Sequence, residues 1–296
     1  MLLHITYAIY YLKRRYVSRV YFEQLRSSCC SVVRASGCLS SGLSPAGQHP
    51  VYAIVYRTKK MAASIMTTFT HSVISGLYVF TVYYAFFVMH IPFMQERFKK
   101  FDVGQLKYLT IWNLLIQTFF SMVCLLNDLI GSNKDDEKQK PWIRRFKDFL
   151  HASIGFPLSM FVGVTFWALM AVDRELVLPK ALDPYFPGWL NHLMHTLIMF
   201  TTLLEMIISS RLYPTRSQGI KALITFMLTY LCWMHYVYYR SGVWAYPVIE
   251  VLSWPLRIVF YAILLLLVIG LYFVGEKLNG LIWGDNKKAI GAKKKK

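Results

Sequence analysis

The chain has 296 residues, of which 56% are hydrophobic and only 16% are charged, and its formal net charge is +18. Soluble domains carry about 25% charged residues, so this composition excludes an ordinary soluble domain. The positive charges are concentrated between long apolar stretches, which argues against a nucleic-acid partner.

In chain order, the sequence predicts an N-terminal extension, a membrane domain and a basic tail. Residues 1–65 form the extension, which we expect to be poorly ordered; residues 66–285 form the membrane domain, and residues 286–296 form the tail. The five cysteines show no zinc or haem spacing, and we expect no metal and no cofactor.

Six stretches of the chain contain no Lys, Arg, Asp or Glu. They cover residues 61–95, 108–127, 149–172, 184–204, 222–239 and 258–275. Each is at or near the ~18–20 residues that a helix needs to cross a bilayer. The sequence therefore predicts an all-α polytopic membrane protein, a bundle of about six transmembrane helices, with residues 131–148 as a charged loop.

The distribution of basic residues predicts the orientation in the membrane. With six spans both termini lie on one side, and that side carries 25 of the 33 Lys and Arg residues. Basic loops remain in the cytosol, so both termini are expected to be cytosolic and to contact anionic membrane lipids. Lys293 and Lys294 also fit a dilysine signal for retrieval to the endoplasmic reticulum.

Polar residues follow one helical face in three of the spans. The second span carries them at spacings of three and four residues, at Thr110, Asn113, Gln117, Ser121, Cys124 and Asp128. Polar side chains in a bilayer turn toward the bundle interior. Hydrogen bonds between helices explain most of these residues, and a water-filled site would explain a few.

His192 and His195 lie three residues apart in "PGWLNHLMHT" and so share a helical face. The second and fourth spans start on the same side of the membrane. Thr110 is about three residues into its span and His195 about six, or roughly 5 and 9 Å. The two side chains therefore belong to the same leaflet, and His90 and His235 reach the same level.

Three interpretations of the histidine pair stay open from the residues alone. Four histidines at one depth, with Asp173 and Glu175 nearby, are candidate metal ligands, but a pair at this spacing supplies only two. A neutral histidine could act as a general base for Thr110. Structural hydrogen bonding to neighbouring helices is the third interpretation.

Several segments resemble one family over residues 69–285. The segments "LKYLTIWNLLIQTFF", "VDRELVLPKALDPYFPGWLNHLMHT", "GVWAYP" and "GEKLNGLIWGD" are similar to the family of androgen-induced gene one protein and the androgen-dependent regulator of tissue factor pathway inhibitor. The resemblance implies a multipass membrane hydrolase of fatty acid esters of hydroxy fatty acids. It also implies a threonine nucleophile at Thr110 and a histidine at His195. The expected location is the endoplasmic reticulum, from the dilysine tail, or the plasma membrane, with which the family is associated.

The resemblance leaves the supporting groups open. Asn113, Asn191 and His192 are candidates from position alone for stabilising the oxyanion or orienting the histidine. A lipid ester is the expected substrate, and the oligomeric state is not predicted. A small-molecule transporter or a non-catalytic regulatory membrane protein is the alternative function.

Overall fold

The computed structural model describes residues 50–130 and 141–284, which are helical apart from their connections and contain no strand. Six helices among them are long and apolar enough to cross a membrane. The all-α fold and the six spans predicted from the sequence are therefore confirmed. The spans are Ser64–Val88, Leu109–Ile130, Trp142–Val172, Gly188–Ile208, Arg216–Ser241 and Trp254–Trp283.

Residues 64–279 form one compact unit. The first span belongs to a helix, Pro50–Tyr83, that begins upstream of the predicted boundary at residue 66. Residues 1–49, 131–140 and 285–296 lie outside the described residues, and with them most of the predicted extension and all of the predicted tail. The domain boundaries and the cytosolic placement of the termini stay predictions.

The connections at one end of the bundle matter for the site. This loop end consists of residues 89–108, 173–187 and 242–253 and contains the short helices Pro92–Arg97 and Pro247–Val251. A proline starts each of these helices, where its missing N–H costs no hydrogen bond. Gly242 ends the fifth span in the left-handed region, with φ +77°.

The third span starts earlier than the sequence predicted. Its helix begins at Trp142, whereas the charge pattern predicts a loop over residues 131–148, so that prediction is wrong from residue 142 onward. Arg144 and Lys147 are only 2% and 1% exposed. Arg144 donates to the carbonyl of Ser210, and Lys147 lies 3.2 Å from Glu205. Because these charges have partners, the first turns of the helix are compatible with burial.

Three spans contain a π-helical turn, in which each residue advances less around the axis than in an α-helix. The turns are Tyr84–Val88, His151–Gly155 and Leu193–Leu197. Such turns are frequent at functional sites. The third of them contains His195. The direction in which this side chain leaves the helix axis therefore differs from that predicted for a regular α-helix.

The fifth and sixth spans approach each other closely far from the loop end. A Cβ atom at Gly219 would lie 2.5 Å from the hydroxyl oxygen of Tyr272, so a larger residue would have to displace the tyrosine ring. Toward the loop end, residues 227–234 of the fifth span and 260–265 of the sixth line a cavity. The two helices therefore diverge toward the loop end.

Candidate active site

Thr110 is the second residue of the second span, whose helix runs Leu109–Ile130. Its hydroxyl oxygen lies 3.2 Å from Nε2 of His195 on the fourth span. Helix N-termini carry backbone N–H groups without intrahelical acceptors and the positive end of the helix dipole. The hydroxyl therefore lies where negative charge is favoured, within hydrogen-bond distance of a base.

The ring of His195 is held on its other side by Asn191. Nδ1 of His195 lies 3.1 Å from the backbone oxygen of Asn191 and 2.8 Å from the side-chain oxygen of the same residue. A backbone carbonyl can only accept a hydrogen bond, so Nδ1 must carry the proton. Nε2 is then an acceptor aimed at Thr110, which is the tautomer that a general base requires.

Phe166 of the third span covers one face of His195. The two rings stack with centroids 3.6 Å apart and planes 14° apart. His195 is only 5% exposed as a result. The aromatic ring excludes water from the imidazole and limits rotation of the histidine side chain.

The other two candidates lie away from the Thr110–His195 contact. His192 is exposed, contacts Thr196 at 3.2 Å and stacks on Trp167. Asn113 is fully buried and its side-chain oxygen is 3.5 Å from both Gln117 and Ser159. Neither residue lines a cavity that includes Thr110.

Tyr246 at the loop end was not predicted from the sequence. Its hydroxyl oxygen accepts a 2.7 Å hydrogen bond from the backbone N–H of Leu109, the residue before Thr110. It also lies 3.0 Å from the hydroxyl of Tyr230, which donates its proton to the carbonyl of Lys107. Burial raises the pKa of Tyr246, so its hydroxyl stays protonated. Its proton is therefore available to Tyr230 or to a ligand.

Two cavities meet at Thr110. One of about 240 Å³ lies between the second, third, fifth and sixth spans and is lined almost entirely by apolar side chains. The other, of about 90 Å³, lies under the loop end and includes His195. Four residues line both cavities: Thr110, Phe166, Val177 and Tyr246.

The larger cavity reaches the outer surface of the bundle. Leu228 of the fifth span and Ala262 of the sixth line it and are also exposed on the outside. That surface is apolar, as expected for a face in contact with lipid tails. A lipid could therefore enter between these two spans from the bilayer.

The four histidines that share a depth do not come together as ligands. His235 donates toward the carbonyl of Leu231 and packs on Trp244 and Tyr261, while His90 is exposed. Within the described ranges, the group of three donors close enough to share an ion is His71, Cys124 and Glu205. This group lies on the first, second and fourth spans, away from Thr110.

A buried ionic cluster surrounds that group, and sequence analysis did not predict it. His71 contacts Asp128 at 2.5 Å and Glu205 at 2.7 Å. Glu205 also contacts Lys147 at 3.2 Å and Arg211 at 3.1 Å. With two basic side chains, Lys147 and Arg211, already bound to Glu205, the cluster fits an ion-pair network between spans better than a cation site. The signal in the sequence was a histidine and a glutamate inside apolar spans.

Comparison with known proteins identifies the family. A model described as FAR-17a/AIG1-like protein matches residues 68–280. Androgen-induced gene 1 protein of Homo sapiens is 38% identical over 199 residues, covering 65% of this chain and 83% of that protein. Androgen-dependent TFPI-regulating protein of Mus musculus is 39% identical over 207 residues, covering 68% of this chain and 89% of that protein.

A more distant relative is a membrane protein of Schizosaccharomyces pombe, 24% identical over 173 residues, covering 57% of this chain and 72% of that protein. No solved structure matches. The match to the family model begins within the first span and ends within the sixth. The chain is therefore a multipass membrane protein and belongs to the FAR-17a/AIG1-like family.

Proposed function

We propose that the protein is a membrane-embedded hydrolase that cleaves fatty acid esters of hydroxy fatty acids with Thr110 as nucleophile and His195 as base. The observation that carries this proposal is the 3.2 Å contact between the Thr110 hydroxyl and Nε2 of His195 at the junction of two cavities. A nucleophile, a base and an orienting acceptor in series form the arrangement that acyl-transfer enzymes use.

In the first step His195 Nε2 takes the hydroxyl proton while the Thr110 oxygen attacks the ester carbonyl. The carbonyl oxygen becomes negatively charged, and we assign its stabilisation to the hydroxyl of Tyr246, which lines both cavities together with Thr110. Collapse of the tetrahedral species breaks the ester C–O bond. The departing hydroxy fatty acid takes the proton from His195 and leaves an acyl-threonine.

In the second step a water molecule is the nucleophile. His195 takes one proton from it, its oxygen bonds to the acyl carbon, and the bond to Thr110 breaks. The proton on His195 returns to the threonine oxygen, and the fatty acid is released. The first half-reaction returns His195 to its starting state and leaves Thr110 acylated, and the second restores Thr110, so the complete cycle needs only water and no cofactor.

The cavities support a lipid as the substrate class. The larger one is apolar, is lined by residues from four of the spans and reaches the surface between the fifth and sixth spans. Thr110 lies close to the loop end, where the ester of a lipid would be near the membrane interface. A long acyl chain in this cavity would place its carbonyl next to Thr110.

Two other functions compete with hydrolysis. The name of the Mus musculus relative refers to regulation, which is consistent with a non-catalytic regulatory membrane protein. A small-molecule transporter is the other alternative. We also propose that the protein works in the endoplasmic reticulum or the plasma membrane. Both of its termini are proposed to face the cytosol.

The experiment that tests the proposal is hydrolysis of a fatty acid ester of a hydroxy fatty acid by purified protein in lipid nanodiscs. Thr110→Val replaces the hydroxyl by a methyl group of similar size and should lower kcat at least ~10³-fold. A fluorophosphonate should label Thr110 of the wild type with loss of fluoride, and His195→Gln should prevent labelling. Hydrolysis by the Thr110→Val protein at the wild-type rate would exclude this nucleophile.

A further inference from the structure

The residues that line the two cavities are unevenly charged. Among the described lining residues, Arg97 is the only cationic side chain, and no Asp or Glu lines either cavity. Arg97 lies at the end of the helix Pro92–Arg97 and lines the smaller cavity together with Thr110 and His195. Within the lining of this cavity, an anionic group would therefore meet one positive side chain, Arg97, and no carboxylate.

Arg97 is held by an ion pair that a ligand can replace. It pairs with Glu250, and the two side chains are 28% and 52% exposed. Surface ion pairs contribute only about 0–1 kcal/mol, so exchange of Glu250 for another carboxylate costs little. A guanidinium has five donors in a planar fork that matches a carboxylate. Arg97 therefore combines cavity access with the chemistry for binding a second carboxylate.

The positive charge of Arg97 also acts on the residues next to Thr110. Burial raises the pKa of the Tyr108 hydroxyl, and the charge of Arg97 opposes that rise. Tyr108 lines the smaller cavity and directly precedes the helix that carries Thr110. The guanidinium of Arg97 is thus close enough to stabilise negative charge beside Tyr108, the residue that precedes the Thr110 helix.

Two buried cations near the loop end, Lys107 and Arg257, are bound to other groups. Lys107 is bound to Asp102 at 3.0 Å and to the carbonyl of Gly104 at 2.8 Å. Arg257 donates to the carbonyl of Ile249 and lies over the rings of Trp244 and Trp254. Neither cation lines a cavity that contains Thr110.

We propose that Arg97 is the binding site for the free carboxylate of the substrate, and so selects esters whose alcohol half is itself a fatty acid. The inference rests on the proposed hydrolase function and adds a residue that determines specificity. The carboxylate binds at the loop end against Arg97, and the hydrocarbon chains extend into the apolar cavity. The ester then lies between them at Thr110.

This arrangement predicts selectivity for the branch position, which is the carbon of the hydroxy fatty acid that carries the ester. The distance from Arg97 to Thr110 is fixed by the fold, whereas the distance from carboxylate to ester depends on which carbon carries the hydroxyl. An isomer that matches this distance can place its carboxylate at Arg97 and its ester at Thr110 at the same time. A mismatched isomer can make only one of the two contacts. Removal of Arg97 should therefore reduce the differences between isomers.

The test compares the free acid of one such ester with its methyl ester, which has the same chains and no negative charge. For the wild type we expect kcat/KM to be roughly 10–100-fold higher for the free acid, mainly through KM, because a lost charge-assisted hydrogen bond has an effect of that size. Arg97→Gln should bring the ratio of the two values close to one and reduce the differences between branch isomers.

Arg174→Gln is the matched control. Arg174 also lies at the loop end and pairs with Asp183, and the side chains are 31% and 56% exposed, close to the values for Arg97 and Glu250. It lines neither cavity with Thr110, so the ratio should stay at the wild-type value. Glu250→Gln removes the competing carboxylate and should lower KM for the free acid.

The outcomes separate the two proposals. Equal cleavage of free acid and methyl ester by the wild type overturns the role of Arg97 and leaves the hydrolase proposal standing. An equal loss of both activities in Arg97→Gln, with an unchanged ratio, also overturns it, since that is the effect of a structural residue. If the wild type cleaves neither ester, the hydrolase proposal fails and the role of Arg97 fails with it.

Discussion

Gly163 on the third span lies directly against the backbone of His195. A Cβ atom at position 163 would be 2.6 Å from the carbonyl oxygen of His195 and 2.5 Å from the sulfur of Met199. The absence of a side chain at this point lets the third and fourth spans approach closely. That approach sets the position of the π-helical turn that carries His195.

Gly163→Ala should therefore lower activity without touching a catalytic group. The added methyl group must displace the His195 backbone, and an error of about 1 Å at a base can cost about 100-fold in rate. We expect kcat to fall ~10–100-fold with KM nearly unchanged. Initial rates over a range of ester concentrations in nanodiscs measure both.

Two glycines provide the controls for this prediction. Gly76 and Gly270 lie in the first and sixth spans, and a Cβ atom at either would meet no other atom within 4 Å. Gly76→Ala and Gly270→Ala should keep the wild-type kcat, since alanine fits a helix better than glycine. A Gly163→Ala protein that is as active as these controls would show that the close approach does not position His195.

Asn191→Leu should reduce the rate through the orientation of His195. The change removes the side-chain acceptor at 2.8 Å but keeps the backbone acceptor at 3.1 Å. The histidine then retains one of its two anchors. We expect kcat to fall ~10–100-fold, less than in His195→Gln, and fluorophosphonate labelling of Thr110 to slow by a similar factor.

Asn279→Leu is the matched control, because both asparagines are 7% exposed. The side chain of Asn279 donates to the carbonyl of Arg211, far along the chain from the site. Both substitutions should lower the thermal unfolding temperature, and only Asn191→Leu should slow labelling. If the two variants label at the same rate, Asn191 has no orienting role.

The six spans could be predicted from the sequence because a bilayer tolerates few unpaired charges. Charges that are paired inside the bundle break this pattern, as at the start of the third span. Lys147 is buried because Glu205, 58 residues away in the sequence, is beside it. A charge count along the chain contains no information about a partner on another helix.

The contact between Thr110 and His195 could be anticipated in part. Both spans start from the same end, and the helical rise fixes depth to within about one turn. Depth alone does not fix azimuth, which here depends on the π-helical turn Leu193–Leu197. Tyr246 could not be placed at all, because the path of the loop that carries it depends on tertiary packing.

Glu205→Gln should destabilise the bundle strongly. Glu205 is 4% exposed and faces His71, Lys147 and Arg211 together, so its loss leaves buried positive charge without compensation. Removing one partner of a buried ion pair lowers the free energy of unfolding by about 3–5 kcal/mol. We expect a large fall in the thermal unfolding temperature in detergent and a reduced yield of folded protein.

A surface pair provides the comparison for this effect. Arg216 and Glu276 lie 2.9 Å apart, and the arginine side chain is 69% exposed. Glu276→Gln should cost no more than about 1 kcal/mol, because exposed pairs are weak. Equal unfolding temperatures for Glu205→Gln and Glu276→Gln would contradict a stabilising role for the buried cluster.

Tyr246→Phe should slow catalysis without weakening substrate binding. The change removes the hydroxyl that is bonded to the N–H of Leu109 and available to a carbonyl oxygen at Thr110. Loss of one oxyanion donor typically lowers kcat about 10²–10³-fold. We expect a fall in that range, and an unchanged KM distinguishes it from a defect in the cavity wall.

The pH dependence of this effect follows from the pKa of Tyr246. Burial disfavours the phenolate and raises the pKa above the ordinary value of about 10, so the hydroxyl remains a donor from about pH 6 to about pH 9. The ratio of wild-type to Tyr246→Phe rates should therefore be constant over that range.

Tyr213→Phe is the control, because burial raises the pKa of that tyrosine too, and it lines neither cavity with Thr110. A ratio that falls toward one as the pH rises would mean that Tyr246 ionises in this range, and a Tyr246→Phe protein as fast as Tyr213→Phe would exclude the tyrosine from the oxyanion site.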